Sequence, residues 1–221
     1  MKGKNALKKE MAGARLKKLC LFLSAAMLLG VVYRLVSEIT LERSHFLTLL
    51  TPLDKIMPFI PETVIIYFSI YLFWLVPILS REISLKYFWR IIITIAIAFL
   101  ATFLGHLLLP SSYPRPEISE TAAQSNWAEF MVKKFLHWVD PPNNTFPSSH
   151  VVTVIILMKM MFAKLGRWPY RLYCFWGTLI MLSTLTVKQH YLIDVISAAI
   201  IAFLVCFCVN KYLPEKSKTA P

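Results

Sequence analysis

The chain has 221 residues, 57% hydrophobic and 16% charged, with a formal net charge of +12 and a mean hydropathy of +0.59. A soluble domain carries about 25% charged residues, so this composition excludes an ordinary soluble protein and specifies an integral membrane one. The basic excess does not specify a nucleic-acid binder, because the cations form no aromatic-interleaved stripe and gather at the ends of apolar runs.

In chain order, residues 1–18 form a polar tail with seven Lys or Arg, suited to the cytoplasmic surface of anionic lipid. The first span is predicted over 19–36. Ser24-Ala25-Ala26 offers a small-residue cleavage site, but apolar residues continue past it, so an uncleaved anchor is expected. Residues 37–61 mix charges with Leu and Phe and read as an interfacial or re-entrant segment. Further spans are predicted over 62–79 and 87–109. Between Pro110 and Asn144, the residues Trp127, Phe130, Met131, Phe135 and Trp138 recur at helical spacing among charges, which predicts a helix lying flat at the interface. The last spans are predicted over 146–162, 172–187 and 191–210, with a cytoplasmic tail at 213–221.

The fold class expected is therefore all-α: a six-helix membrane bundle over 19–212, with interfacial helices on the extracytoplasmic side. Both termini then share one side, which holds sixteen basic residues against six on the other, as the positive-inside rule requires of a cytoplasmic face. The four cysteines include no C-x-x-C pair, and neither a disulfide nor a zinc site is expected.

This topology brings three polar stretches to one outer face: 111–117, 145–150 and 183–194. His190 and Asp194 stand four apart at the start of the last span, so on a helix the carboxylate reaches the imidazole. A His fixed by an Asp suits a base or nucleophile, and it equally suits a buried ion pair that locks two helices together. Pro147 and Ser148 are helix-start residues. Amides opening after them, with the hydroxyls of Ser148 and Ser149, make a phosphate cradle or simply a helix cap. Arg115 offers a planar fork for two phosphate oxygens, or faces a headgroup. His150, Lys188 and the two serines complete a set suited to a phosphate ester. His106 reads as a packing residue, and no metal or other cofactor is expected.

Tyr113-Pro-Arg-Pro116, Pro147-Ser-Ser-His150 and Ser183…His190…Asp194 resemble the three ordered motifs of the type-2 phosphatidic acid phosphatase family, K-x6-R-P, P-S-G-H and S-R-x5-H-x3-D. The resemblance implies that His190 is the nucleophile, forming a phosphohistidine, that Asp194 orients it, and that His150 protonates the leaving group and then activates water. Arg115, Ser148 and Ser149 would hold the phosphoryl oxygens without a metal. Three positions depart from the pattern: Leu108 replaces the Lys, Ser149 the Gly and Thr184 the Arg. Two cations are thus missing, and Lys188 is the candidate for restoring one.

The function expected from this resemblance is a metal-independent lipid phosphatase of phospholipid metabolism, hydrolysing a lipid phosphate or pyrophosphate at the extracytoplasmic face of the cell membrane. The alternative is a phosphotransferase similar to inositol-phosphorylceramide or sphingomyelin synthases, which passes the phospho group to an alcohol. A non-enzymatic transporter or scaffold, using the His-Asp pair as a relay or clamp, is the third reading. The partners expected are the lipid phosphate substrate and membrane lipids, with no nucleic acid and no obligate protein partner.

Overall fold

The computed structural model describes residues 2–214. Among them the regular structure is helical, and two isolated bridges, Leu47 with Ser111 and Ser112 with Asn143, are the only extended pairings.

Helix α1 is Lys2–Leu41, so the basic tail and the start of the predicted interfacial segment are both helical continuations of the first span. Its run Glu10–Leu41 is long and apolar enough to cross a membrane. Leu23, Met27, Leu28, Val31 and Leu35 are exposed along it. Such a face is an aggregation hazard in water and costs nothing against lipid tails. A stretch without helix then leads to the short α2, Pro52–Ile56, whose Thr51 and Asp54 form a reciprocal capping box.

The second membrane-length helix, α3, is Pro61–Leu79, entered through a single 3-10 turn with Pro61 at its first position. The C-terminal carbonyls of such a helix lack intrahelical partners. Here buried Lys18 of α1 reaches one of them, its Nζ donating to the carbonyl of Pro77 (3.2 Å) and, just past the helix end, to those of Ser80 (2.8 Å) and Ile83 (3.2 Å). The cation also complements the helix dipole there. Helix α4, Leu85–Leu108, is capped by the Ser84 hydroxyl and is the third membrane-length helix.

Two short helices follow: α5, Glu120–Ser125, and α6, over 127–139, which carries a π-helical turn at Met131–Leu136. The predicted helical spacing of Trp127 to Trp138 is thus realised.

Helix α7, Ser149–Met161, starts three residues later than predicted because Ser148 is its N-cap. At 13 residues it is about 20 Å long. It is the centre of the bundle: Val151, Val152, Val154, Ile156, Leu157 and Met161 are fully buried against α4, α8 and α9. Helix α8, Arg167–Thr186, extends the predicted fifth span backward through two arginines. It approaches α7 closely at Gly177, where an added Cβ would lie 2.6 Å from the Met158 sulfur. Helix α9, Leu192–Tyr212, is the fourth membrane-length helix and buries Ala198, Ala202 and Cys206 against the bundle. Small side chains on that face let the backbones close up.

Among the described residues four helices, against six spans predicted, are therefore long and apolar enough to cross a membrane. The other two predicted spans are helices too, but α7 is below the roughly 17 residues of a full crossing and α8 carries Arg167 and Arg171.

Candidate active site

The three predicted stretches meet around the loop 140–148, which enters α7. Asn143 anchors this loop to the end of α1, its Nδ2 donating to the Ser37 carbonyl (2.8 Å) and to Thr40 Oγ1 (2.7 Å). Thr40 Oγ1 in turn donates to Asn144 Oδ1 at 2.7 Å. From the first stretch, Ser111 Oγ lies 2.7 Å from Thr145 Oγ1 and accepts from the Phe146 amide at 2.9 Å. From the third, the Tyr191 hydroxyl donates to the Ser112 carbonyl at 2.6 Å. Helix α4 seats Pro147. Gly105 lies so close that a Cβ there would stand 2.5 Å from the proline Cδ, and the His106 ring N–H donates to the Pro147 carbonyl at 3.0 Å. His106 is thus a buried hydrogen-bonding support for the motif as well as a packing residue.

His190 sits in the turn between α8 and α9. The amides of Gln189 and His190 both donate to the Thr184 carbonyl (3.1 and 3.2 Å), a reversal that needs Lys188 in the left-handed region at φ 58°. His190 Nδ1 lies 2.9 Å from the Thr145 carbonyl and 3.3 Å from Asp194 Oδ2. A carbonyl only accepts, so Nδ1 carries the proton and Nε2 is left with a free lone pair. Nε2 is buried and makes no hydrogen bond. Asp194 performs two tasks at once, because its Oδ2 also accepts from the Tyr191 amide at 2.8 Å and so caps α9.

His150, in the first turn of α7, faces His190 with ring centroids 6.2 Å apart. The Tyr67 hydroxyl from α3 lies 3.0 Å from its Nε2 and 3.2 Å from its Nδ1. Beside them stands Asp140, a residue that sequence reasoning passed over. Its carboxylate accepts from Tyr33 (2.6 Å) and Tyr67 (2.7 Å). Burial pushes the Asp140 carboxyl up, but the charge of the neighbouring imidazoles and the two tyrosine hydrogen bonds outweigh it and hold it below the usual range. Donor atoms of Asp140, His150 and His190 all lie within 4.8 Å of one another, a set that could also hold a divalent ion. Nothing in the sequence spacing marked Asp140; only its position beside two prolines set it apart.

Arg115 donates to the Asp140 carbonyl and to the Gln189 side chain, so its guanidinium lies against both the loop and the His190 turn. Burial lowers its proton affinity and Asp140 opposes that loss. Ser148 accepts from the Val151 amide at 3.4 Å as the α7 cap, and Ser149 Oγ lies 3.3 Å from Thr102 Oγ1. The structure does not bring Lys188 to this group. Its amine turns to α2, donating to the carbonyls of Asp54 (3.1 Å) and Met57 (2.5 Å), and burial lowers its pKa. The positions of the two departures from the cation pattern supply no replacement: Leu108 is exposed, and the buried Thr184 hydroxyl donates to Met181.

A cavity of about 720 Å³ runs from this cluster between α1, α3 and α4. One end is formed by Asp140, Ser149, His150 and His190, and the other by apolar residues such as Phe22, Trp74 and Ile92.

Membrane-length helices, paired imidazoles with one oriented by a carboxylate, and a guanidinium at the same rim define a class: helical membrane proteins acting on phosphate esters. The PAP2 superfamily model matches residues 83–218, more than half of the chain, and the chain belongs to that superfamily. Membership brings phosphatase or phosphotransferase activity on phosphate esters. No curated protein and no solved structure matches the chain significantly.

Proposed function

We propose that the protein is a metal-independent lipid phosphatase working through a phosphohistidine on His190. The observation that carries this reading is the join between two features: an apolar chamber long enough for a lipid tail ends on two facing imidazoles. From Tyr33, which reaches Asp140, back to Phe22 at the apolar end, α1 rises by about 16 Å, roughly the depth of one leaflet.

The reaction divides the work between the rings. His190 Nε2 attacks phosphorus while the bond to the leaving oxygen breaks, and His150 gives that oxygen a proton. His150 then takes a proton from water as the water oxygen attacks the phosphohistidine, which frees His190 and releases phosphate. Asp194 and the Thr145 carbonyl stabilise the positive charge that builds on the His190 ring. Arg115, with the amides and hydroxyls of Ser148 and Ser149 at the α7 N-terminus, receives the phosphoryl oxygens. Lys188 belongs to this set only if its amine leaves the carbonyls of Asp54 and Met57.

The remaining reading of the chain is of one piece with this one. In this reading the short α7, enclosed by the bundle rather than by lipid, and α8 make up six spans over 19–212, with tails at 1–18 and 213–221 in the cytoplasm, and α5 and α6 lie at the extracytoplasmic surface beside the site. The charge imbalance between the two sides supports that orientation. A phosphotransferase is the second reading, favoured by one observation: Arg115 is the only Lys or Arg side chain held against the imidazole cluster by a hydrogen bond among the described residues. A phosphate monoester carries about −1.5 to −2 at neutral pH, whereas a diester passed between alcohols carries a single charge. A labelled lipid phosphate donor tests the choice. Release of inorganic phosphate without an added alcohol supports hydrolysis, and strict dependence on the alcohol supports transfer.

A further inference from the structure

The geometry points to Asp140 and Tyr67 as a positioning pair that holds His150 as the proton donor of the reaction. This inference rests on the reading of His150 as the acid and extends it to residues outside the three motifs.

The argument is a count of hydroxyl protons. Asp140 is loaded at both oxygens, with Tyr33 Oη 2.6 Å from Oδ1 and Tyr67 Oη 2.7 Å from Oδ2. An ionised carboxylate only accepts, so each tyrosine spends its one proton on Asp140. The Tyr67 oxygen then has only acceptor capacity left for His150, 3.0 to 3.2 Å away. Whichever ring nitrogen makes that contact must carry a proton. That N–H is the one His150 keeps, and the ring is thereby held with its other nitrogen as the one that carries and gives the transferable proton. His190 is oriented in the same manner, since the Thr145 carbonyl accepts from Nδ1 and leaves Nε2 bare to attack. Each ring is thus oriented by an acceptor behind it, and His150, as an imidazolium, gives the proton on its other nitrogen to the leaving oxygen and returns to the neutral ring that later takes one from water. Tyr67 touches both His150 and Asp140, so Asp140 acts on His150 through Tyr67 and the pair acts on the reaction through His150.

The same aspartate ties this arrangement to the phosphate end of the site, because its backbone carbonyl accepts from Arg115. One residue thereby sets the spacing between proton donor and guanidinium. Both tyrosines come from helices before the family match, Tyr33 on α1 and Tyr67 on α3.

The test compares two leaving groups on the detergent-solubilised full chain. One substrate is an alkyl phosphate ester, whose alkoxide needs a proton; the other is the p-nitrophenyl ester, whose phenolate does not. For the aryl ester the first-turnover burst of nitrophenol is followed, because it reports only the first half of the reaction. Asp140→Asn and Tyr67→Phe are expected to lower kcat for the alkyl ester by about 10- to 100-fold with little change in KM, within the ~10²–10⁴ that general acids supply. Their aryl bursts should stay within a few-fold of wild type, and His150→Ala should show the same pattern more strongly. Equal losses on both esters in the Asp140 and Tyr67 variants would mean a structural role and overturn the proposal, as would no loss on either. If His150→Ala itself shows no preference for the aryl ester, the reading of His150 as the acid fails, and the pairing fails with it.

Discussion

The imidazoles of His150 and His190 face each other with ring centroids 6.2 Å apart, although one opens α7 and the other closes the turn before α9. Four contacts fix that spacing: His106 and Gly105 on Pro147, Thr145 on His190 Nδ1, and Tyr67 on His150.

Gly105→Ala tests the first of these. The new Cβ would meet the Pro147 Cδ at 2.5 Å, and a proline ring between buried neighbours has little room to yield. Overpacking of this kind costs about 1–3 kcal/mol. A drop in thermal midpoint and a loss of turnover exceeding any change in KM are expected. An unaltered kcat would show that Pro147 does not set the site.

Lys188→Ala separates two roles for that lysine. Its amine holds the carbonyls of Asp54 and Met57, and Asp54 Oδ1 accepts from the Leu192 amide at the start of α9. Hydrogen bonds to a charged group contribute about 1.5–3 kcal/mol, so the variant should lose stability. KM for a lipid phosphate should move little. A large rise in KM at unchanged stability would return Lys188 to the phosphate.

The depressed pKa of Asp140 makes a statement about acid. A carboxyl held below its unfolded value of about 3.9 contributes stability that is complete above that pH and is lost as pH falls through the folded value. Asp140→Asn should therefore be less stable than wild type near neutrality, and the gap should close below about pH 4. Midpoints of thermal unfolding across that range check this; a gap that widens in acid would contradict it.

Gly30→Phe probes the chamber. Gly30 lines it, and a Cβ there meets nothing within 4 Å, so the ring can enter the space without disturbing the helix. Displacing two methylenes of a bound tail costs about 1.6 kcal/mol, or roughly tenfold in affinity. Long-chain lipid phosphates should show that rise in KM and short-chain esters much less. Equal effects on both would separate the chamber from substrate binding.

Much of this was legible in the sequence, for physical reasons that differ by element. The membrane class follows from composition, and α3, α4 and α9 follow from uninterrupted apolar runs. Helix α1 ran longer than its apolar core at both ends, because a helix once nucleated continues through Lys and Glu at little cost. Helix α7 read as a span over 146–162 from its apolar run, but burial inside the bundle rather than contact with lipid makes it apolar, and the helix itself has 13 residues. The three polar stretches did converge, because each abuts a helix end at the same side of the bundle. Asp140 and Tyr67 were invisible, since a lone Asp before two prolines and a Tyr inside an apolar run carry no spacing signal. Lys188 misled because proximity in sequence to His190 says nothing of direction after a left-handed turn.

The most direct measurement of the central claim is phosphate release from a panel of lipid phosphates by the purified chain in EDTA, with His190→Ala and His150→Ala alongside and acid-labile phosphate on the enzyme followed in parallel. Release that survives chelation, vanishes in both variants and leaves label on the chain only when His190 is present is the result expected. Release that requires an added divalent metal would instead assign the Asp140, His150 and His190 donors to an ion and contradict a phosphohistidine.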